Sequence, residues 1–246
     1  MSEPAIMTNA TTCALAPELL EPKQAYDLAA DYYDSWIWQE FWRNNEFKVV
    51  IDMLCNFKGV TSTLDVGAGT GFYLKKLEER NKFAVGVDLS VRMLQWARAR
   101  LGPGVPLTVG DITALPFSKE HFDLVLCTRV LSHVREIGLA FAEIARVLGK
   151  AGRLLISDLD IQHDYVETHL PAGDRKLRVR TYKRSTGEVL EAARQDGGFA
   201  IEAVHKFNAQ NVVLGVAGPK LGELEPTGTR TIGYVALLSH PSPKAA

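Results

Sequence analysis

The stretch LDVGAGTGFYL, residues 64–74, joins the end of an apolar strand to a second apolar run through three closely spaced glycines. Such a turn lets a ligand approach the main chain where a Cβ would collide with it, and the helix that follows offers unpaired N–H groups. A dinucleotide fingerprint would be GxGxxG, but Phe72 stands where the third glycine belongs. The carboxylate of Asp65 would also repel a pyrophosphate. The turn therefore favours a cationic or hydrogen-bond-donating ligand.

Short β-branched runs alternate with longer helical patterns along most of the chain. Alternation of this kind implies parallel strands joined by right-handed helical crossovers, and hence an α/β fold with helices on both faces of one open sheet. Strands are predicted at 63–67, 83–88, 107–109, 122–127, 153–158, 200–207 and 231–238, helices at 71–80, 90–101, 137–148 and 186–195, and a Gly- and Pro-rich loop at 215–228.

The chain is predicted to form one domain, because 246 residues with 46% hydrophobic content can bury a single large core. We assign residues 23–241 to this domain, with an N-terminal helical cap at 23–58 and an inserted lid at 160–184. Residues 1–22, rich in Ala, Thr and Pro, are expected to form a mobile tail, and residues 242–246 a C-terminal tail.

Composition argues against several classes of partner. The formal net charge of −1 and the pI near 6.6 provide no basic field for nucleic acid or an anionic membrane, so a small molecule is the expected partner. Three cysteines without metal-ligand spacing indicate a reducing cytoplasm. Neither a signal peptide nor a membrane span is predicted, and no feature of the sequence defines an oligomeric state.

Two further aspartates follow the next two predicted strands. Asp88 comes about 20 residues after the glycine turn, where a carboxylate can accept hydrogen bonds from both ribose hydroxyls. Asp111 follows the third strand, where it can accept from the exocyclic amine of adenine. Each aspartate alone is also typical of an N-cap or a turn, but three acids at successive strand ends indicate one ligand crevice.

Four motifs in the sequence resemble those of the class I S-adenosylmethionine (SAM)-dependent methyltransferases. The resemblance is to their small-molecule branch, which resembles the quinone-biosynthesis methyltransferases. The motifs are LDVGAGTG at 64–71, VGVDLS at 85–90, GDITALPF at 110–117 and EIARVLGKAGRLLISD at 143–158. The resemblance implies a Rossmann-like, seven-stranded, mostly parallel sheet with an antiparallel last strand. It also implies SAM as cofactor, S-adenosylhomocysteine as product, and methyl transfer to O, C or N of a small aromatic or polyketide-like acceptor.

The resemblance also implies which residues contact the cofactor. Asp65 and the glycine turn would surround its methionine part, Asp88 its ribose and Asp111 its adenine, while Tyr33 would bind its carboxylate. The full implied set is Tyr26, Tyr33, Asp65, Gly67, Ala68, Gly69, Asp88, Leu89, Met93, Asp111, Ile112, Cys127 and Thr128.

His133 is the candidate general base for the acceptor, because it follows the fourth predicted strand and its side chain titrates near neutral pH. A histidine that only packs or bonds to backbone is the alternative. Arg129 would share a face with His133 if this segment is helical. The pair resembles the Arg-His dyad of aromatic C-methyltransferases in aminocoumarin biosynthesis, so both residues are candidate catalytic residues.

The inserted lid and the aromatic cap supply the candidate acceptor pocket. His163, Asp164, Glu167 and His169 lie close in sequence, but they share no regular helical face, so a lid is predicted and no metal site. The basic stretch RKLRVRTYKR, residues 175–184, is either a solvated hairpin face or a site for a substrate carboxylate or phosphate. The predicted acceptor-binding residues are Trp36, Trp38, His163, Arg178, Arg180 and Tyr182.

Two alternatives to methyl transfer share the same cofactor site. A protein of this fold can bind SAM while catalysing a cyclisation or another reaction, and it can also serve as a non-catalytic partner subunit. The acidic positions favour cofactor binding in each case and do not separate them.

Overall fold

The computed structural model describes residues 19–80, 83–161, 168–208 and 231–240. The C-terminal tail and the predicted loop at 215–228 lie outside these ranges. The strands are β1 (Leu19–Leu20), β2 (Ser62–Val66), β3 (Phe83–Asp88), β4 (Leu107–Val109), β5 (Phe122–Thr128), β6 (Leu148–Leu159), β7 (Thr168–Ala172), β8 (Arg175–Val179), β9 (Ala200–Asn208) and β10 (Thr231–Ser239).

Seven of these strands form one sheet in the order β4-β3-β2-β5-β6-β10-β9. The first five strands in this order pair in parallel, whereas β10 is antiparallel to both β6 and β9. The predicted mostly parallel sheet with an antiparallel last strand is confirmed. The chain leaves β2 towards β3 on one side and reaches β5 on the other, so the strand order reverses beside β2. An open α/β sheet binds ligands at such a point, outside the carboxyl ends of its strands.

Helices cover both faces of the sheet. At the start of the helix Val91–Leu101, the hydroxyl of Ser90 accepts a hydrogen bond from Met93 N at 3.1 Å and so caps the helix. Within the described residues, no helix is both long and apolar enough to cross a bilayer. The helices are α1 (Pro22–Tyr33), α2 (Trp38–Trp42), α3 (Lys48–Asn56), α4 (Phe72–Glu78), α5 (Val91–Leu101), α6 (Ile137–Val147) and α7 (Thr186–Gly197), with a π-helical turn at Arg43–Phe47 and a 3-10 turn at Leu131–His133.

The two faces of the sheet bury separate apolar cores. Along β5, Val125 faces a core shared with α6 and α7, whereas Leu124 and Leu126 face a core shared with α2 to α5. Alternate strand residues point to opposite faces, which explains the near-continuous apolar sequence of this central strand.

The predicted N-terminal tail at 1–22 extends too far along the chain. Leu19 and Leu20 form β1, which pairs in parallel with β8, and α1 begins at Pro22. Leu20 is buried, and burial of its side chain stabilises the pairing. Residues 1–18 lie outside the described ranges.

The inserted segment at 160–184 contains an antiparallel hairpin of β7 and β8 that packs against α1. Leu177 and Val179 of this basic stretch are buried, whereas Arg178 between them is partly exposed. The two buried residues join Leu20 and Leu170 in a small third core beneath α1. The hairpin and α1 therefore form one layer over the carboxyl ends of the sheet strands.

Three aspartates, Asp27, Asp31 and Asp34, hold the other side of α1 against α5 and its N-cap. Because they lie three and four residues apart, they share one face of the helix. The donor–acceptor pairs are Ser90 Oγ to Asp27 at 2.6 Å, Arg92 to Asp31 at 2.7 Å and Arg100 to Asp34 at 2.5 Å.

Candidate cofactor and acceptor site

A cavity of about 490 Å³ opens at the carboxyl ends of β2, β3 and β5, below α1. Its volume and position are typical of a small-molecule site. Of the residues predicted to contact the cofactor, those that line the cavity are Tyr26, Tyr33, Asp65, Gly67, Ala68, Gly69, Asp88, Leu89, Met93, Asp111, Ile112 and Thr128.

The glycine turn forms the floor of this cavity. The N–H groups of Gly67 and Ala68 donate to the carbonyl of Val87, at 2.8 and 3.0 Å, and tie the turn to β3. Gly67 has a φ of +72°, and a Cβ there would lie 2.2 Å from Cγ2 of Val130. Gly69 has a φ of +54°, and a Cβ there would meet its nearest atom only at 3.9 Å, so space for a ligand lies beside this residue.

Asp88 is held by two backbone donors. Gly69 N donates to Oδ2 and Ser90 N donates to Oδ1, each at 2.8 Å. Each carboxylate oxygen accepts more than one hydrogen bond, so Asp88 keeps acceptor capacity for two hydroxyls in the cavity. Burial raises the pKa of Asp88, and donors from a ligand would stabilise its ionised form.

Asp65 lies behind the glycine turn and is 1% exposed. Its Oδ1 has no hydrogen-bond partner within the described part of the chain. Burial, and then the charge of Asp88, raise the pKa of Asp65 to about 7, although the Arg129 guanidinium opposes the shift. A buried acceptor without a partner is complementary to a cationic N–H donor.

The far end of the cavity combines apolar and polar groups. Met93 and Ile112 are buried there, and Leu89 is partly exposed at the mouth. Asp111 Oδ1 accepts from both the N–H and the hydroxyl of Thr113, each at 2.8 Å. This end suits a flat heteroaromatic ring with an amino edge.

Cys127 does not line the cavity. Its side chain is fully buried in the core with Val125, and burial raises the pKa of its thiol. Thr128 is the next residue along β5 and does line the cavity. The predicted contact of the Cys127 side chain was wrong because neighbouring strand residues face opposite sides of the sheet.

His133 lines the cavity from the 3-10 turn and has both ring nitrogens in hydrogen bonds. Nδ1 lies 2.9 Å from the carbonyl oxygen of Arg180, and Nε2 lies 3.0 Å from the hydroxyl of Tyr26. Because a carbonyl only accepts, Nδ1 carries the proton and Nε2 accepts from the tyrosine in the neutral ring. Burial lowers the pKa of His133, which favours that neutral form.

Arg129 and His133 do not share a helical face. Arg129 has a φ of +58°, so it stands in the left-handed region before the 3-10 turn begins. Its guanidinium donates to Gln39 Oε1 at 3.2 Å and lies 5.4 Å from the ring centroid of Trp42. The helical spacing considered for the two residues is therefore wrong, although both residues line the cavity.

A buried acid that the sequence analysis missed accompanies Arg129. Glu46 is 1% exposed, and its Oε2 lies 3.4 Å from Nε of Arg129. It also accepts hydrogen bonds from the hydroxyls of Tyr73, at 3.0 Å, and Ser157. Burial has the largest single effect and would lower the pKa of Arg129, but the charge of Glu46, together with the smaller contributions of Tyr33, Tyr73 and Tyr26, raises that pKa overall. The position of Glu46 among the aromatic residues of the cap was the signal in the sequence for a buried acid.

The structure places only some of the predicted acceptor-binding residues at the cavity. Tyr182 lines the cavity, whereas Trp36 and Trp38 pack in the aromatic layer of the cap, with their ring centroids 6.5 Å apart. The guanidinium of Arg180 donates to Glu21 at 2.6 Å.

The remaining predictions concern the insertion. Arg178 lies in β8, opposite His169 of β7, and neither residue is among those that line the cavity in the described part of the chain. His163, Asp164 and Glu167 lie outside the described residues. Among the described residues, no cluster of metal-ligating side chains is found.

Comparison with known sequences shows a family match. Residues 64–156 match the family described as "Methyltransferase domain". A demethylmenaquinone methyltransferase of Tropheryma whipplei is 36% identical over 119 residues, which cover 46% of this chain and 48% of that protein. The chain spans less than half the length of the first curated relatives that it matches.

Solved structures show the same fold. An S-adenosylmethionine-dependent methyltransferase from Mesorhizobium loti aligns with a TM-score of 0.61 at 24% identity, covering 79% of this chain and 97% of that chain. The [4+2]-cyclase SpnF aligns with a TM-score of 0.58 at 22% identity, covering 79% and 82%. At these identities the alignments show the fold alone.

Residues 64–156 therefore resemble a methyltransferase domain, the chain shares the fold of an S-adenosylmethionine-dependent methyltransferase, and the cofactor that this fold implies is SAM. The cavity fits that cofactor on three independent observations. Gly69 leaves open space beside the backbone, Asp88 keeps acceptor capacity, and Asp65 has a buried oxygen without a hydrogen-bond partner among the described residues.

Proposed function

We propose that this chain transfers a methyl group from SAM to an oxygen, carbon or nitrogen of a small aromatic or polyketide-like acceptor. The observation that carries the proposal is the composition of one cavity. Its floor holds the glycine turn with the buried carboxylate of Asp65 and the half-buried carboxylate of Asp88, and its roof holds aromatic rings and His133. Such a cavity can hold a cofactor and an acceptor side by side.

When bound, SAM would supply a methyl group on its sulfonium, and attack by an acceptor atom in line with the C–S bond would release S-adenosylhomocysteine. The main task of the protein is then positioning, because the acceptor atom must lie about 3 to 3.5 Å from the methyl carbon with water excluded. Asp88 would hold the ribose hydroxyls, and Met93 and Ile112 would contact the adenine. Tyr26 and Tyr33 of α1 would cover the site from above.

The cavity wall suits a planar, partly apolar acceptor. Tyr26, Tyr33, Trp42 and Tyr182 contribute rings to the cavity lining. Aromatic side chains bury a large apolar surface against a flat ligand, and the tyrosine hydroxyls supply hydrogen bonds at its edge. Recognition of an acceptor anion by Arg180 is less well supported, because its guanidinium already pairs with Glu21.

His133 is the proposed general base for an acceptor that arrives protonated. Its Nε2 is the accepting nitrogen, held in that state by the Nδ1 proton bound to the Arg180 carbonyl. In the described structure Nε2 already accepts from Tyr26. An acceptor hydroxyl would therefore replace the tyrosine at Nε2 or pass its proton through the tyrosine hydroxyl.

A SAM-binding protein that transfers no methyl group is the second candidate. The shared fold with SpnF does not favour it, because likeness at 22% identity extends only to the fold. The relatives matched in sequence include several named as methyltransferases. We therefore place methyl transfer first.

The test is incubation of the protein with methyl-labelled SAM and a panel of phenols, quinones, amines and carboxylates. Formation of S-adenosylhomocysteine with one acceptor, together with label in that acceptor, supports the proposal. The Asp88→Ala variant serves as the control that cannot hold the cofactor. If the protein binds SAM but labels no member of a broad panel, the second candidate takes its place.

A further inference from the structure

The glycine turn, residues 67–71, is the part of the cavity that its own sequence constrains least. Its three glycines have φ values of +72°, +54° and +79°, and glycine loses more conformational freedom on folding than any other residue. A turn that presents its backbone to a ligand in one conformation therefore needs contacts that hold it. The other two residues of the turn are an alanine and Thr70, so the Thr70 hydroxyl is its one polar side-chain group.

Thr70 is 4% exposed, and both its hydroxyl and its carbonyl are bound. The hydroxyl donates to Oδ1 of Asp34, the residue at the end of α1, at 2.7 Å. Nη1 of Arg100, in α5, donates to the carbonyl oxygen of Thr70 at 2.9 Å and to its hydroxyl oxygen at 3.0 Å. Nη2 of Arg100 donates to Oδ2 of Asp34 at 2.5 Å. Each of the three residues is thus bonded to the other two, and we call them the turn triangle.

Asp34 occupies a position that does not favour an acid. It is the C-cap of α1, where the carbonyl groups at the end of the helix carry a partial negative charge. The guanidinium of Arg100 offsets that repulsion, and the second carboxylate oxygen is taken by the Thr70 hydroxyl. The acid therefore gains its partners from α5 and the glycine turn and none of its stability from its own helix.

Another aspartate of α1 provides a comparison. Oδ1 of Asp31 accepts from Nη2 of Arg92 at 2.7 Å and from Nε1 of Trp96 at 2.9 Å. Both donors belong to α5, and neither is among the residues that line the cavity in the described part of the chain. Asp31 thus joins the same two helices as Asp34, but its partners do not belong to the glycine turn.

We propose that Asp34 and Arg100 are positioning residues for the cofactor: through Thr70 they hold the glycine turn in the conformation that binds it. The inference rests on the proposed function, because the glycine turn is there the floor of the cofactor site. The end of α1 then has a task besides covering the cavity, since it makes the turn rigid before the cofactor arrives.

The first test is calorimetric titration with S-adenosylhomocysteine of two variants at Thr70. Thr70→Val keeps the β-branched shape and removes the hydroxyl, so we expect about 5- to 20-fold weaker binding. Thr70→Ser keeps the hydroxyl and removes the methyl group, and it should bind within about twofold of the parent protein. A residue that only packs would show the opposite order, because serine fills less space than valine.

The second test compares Asp34→Asn with Asp31→Asn, since each variant neutralises an acid of α1 that pairs with an arginine of α5. Asp34→Asn should weaken S-adenosylhomocysteine binding about 3- to 10-fold and speed hydrogen exchange of the Gly69 and Gly71 amides. Asp31→Asn, the matched control, should change neither. Combining Asp34→Asn with Thr70→Val should weaken binding by less than about twofold beyond the weaker-binding single variant, because both changes break one triangle.

Three results would overturn the inference: Thr70→Val binding S-adenosylhomocysteine as the parent protein does, Thr70→Ser losing as much affinity as Thr70→Val, or Asp31→Asn losing as much as Asp34→Asn. If Thr70→Val does not fold, the comparison of the two asparagine variants decides, because both aspartates are half-exposed. If the parent protein itself does not bind S-adenosylhomocysteine, the proposed function fails first, so the two failures are distinguishable.

Discussion

Replacing Asp65 by Asn should stabilise the protein without cofactor and weaken its binding of cofactor. The Asp65 carboxyl is 1% exposed, and its Oδ1 has no partner within the described residues. Burial, the charge of Asp88 and the charge of Glu46 raise its pKa from 3.8 to about 7, against the opposing charge of Arg129. Asn keeps the shape of the side chain and removes the charge.

The size of the effect follows from the pKa of Asp65. A rise from 3.8 to about 7 corresponds to about 4 kcal/mol, at about 1.4 kcal/mol for each pKa unit. Because the folded-state pKa is raised, the penalty is absent below the unfolded pKa, grows with pH up to about 7, and is constant above it. The stabilisation by Asn should therefore be about 2 kcal/mol at pH 5.5 and about 4 kcal/mol at pH 8.5.

The assay is urea unfolding of the parent protein and Asp65→Asn at these two pH values, without cofactor. Asp52→Asn, at an exposed position of α3, is the matched control and should change stability little at either pH. A variant that is less stable than the parent at pH 8.5 would refute the reasoning, and so would a gain that does not grow with pH.

The same titration predicts the pH dependence of cofactor binding. The ammonium group on the methionine part of the cofactor, placed beside Asp65, would lower the pKa of Asp65 in the complex. Binding would therefore release a proton when the carboxyl of the free protein is protonated. Affinity for S-adenosylhomocysteine should fall by up to about tenfold for each pH unit below 7 and be flat above it. Calorimetry should show no such fall in Asp65→Asn. An equally steep pH profile in that variant would contradict the placement of the cofactor's ammonium group beside Asp65.

Three further substitutions test the proposed base and the glycine turn. His133→Ala should keep its affinity for SAM while turnover with an acceptor falls by about 10² to 10⁴-fold, measured as S-adenosylhomocysteine formed; an unchanged rate would assign His133 to packing alone. Gly67→Ala should cost about 2 to 5 kcal/mol in urea unfolding, because its Cβ would meet Val130 in a left-handed backbone, whereas Gly69→Ala should cost about 1 to 2 kcal/mol. Equal losses in the two alanine variants would contradict the packing described for Gly67.

The sequence predicted those parts of the fold that local patterns determine. Phe83–Asp88 was predicted with its observed bounds, because a short apolar run ends at an acid and is followed by the Ser90 cap. The order of strands and helices also follows from the alternation of short β-branched runs and helical patterns along the chain. The two buried cores then set the layers, since each strand supplies residues to both faces.

The contacts between distant segments could not be predicted in this way. Glu46 and Gln39 contact Arg129 only because the cap folds over the sheet. Both residues lie far from Arg129 in the sequence, and hydrophobic periodicity predicts local structure only. The left-handed backbone at Arg129 likewise removes the helix on which the expected pairing with His133 depended. Cys127 was placed in the site by motif, although the alternation within β5 directs its side chain into the core.

The most direct test of the central claim is calorimetric titration of Asp88→Ala with SAM. Asp88 is bound by Gly69 N and Ser90 N, and its remaining acceptor capacity faces the cavity, where the ribose hydroxyls are proposed to lie. Two hydrogen bonds to a charged group are worth about 3 to 6 kcal/mol together, so affinity should fall by at least about 100-fold. Asp52→Ala should bind as the parent protein does. An Asp88→Ala variant that is folded and binds SAM with unchanged affinity would contradict the account.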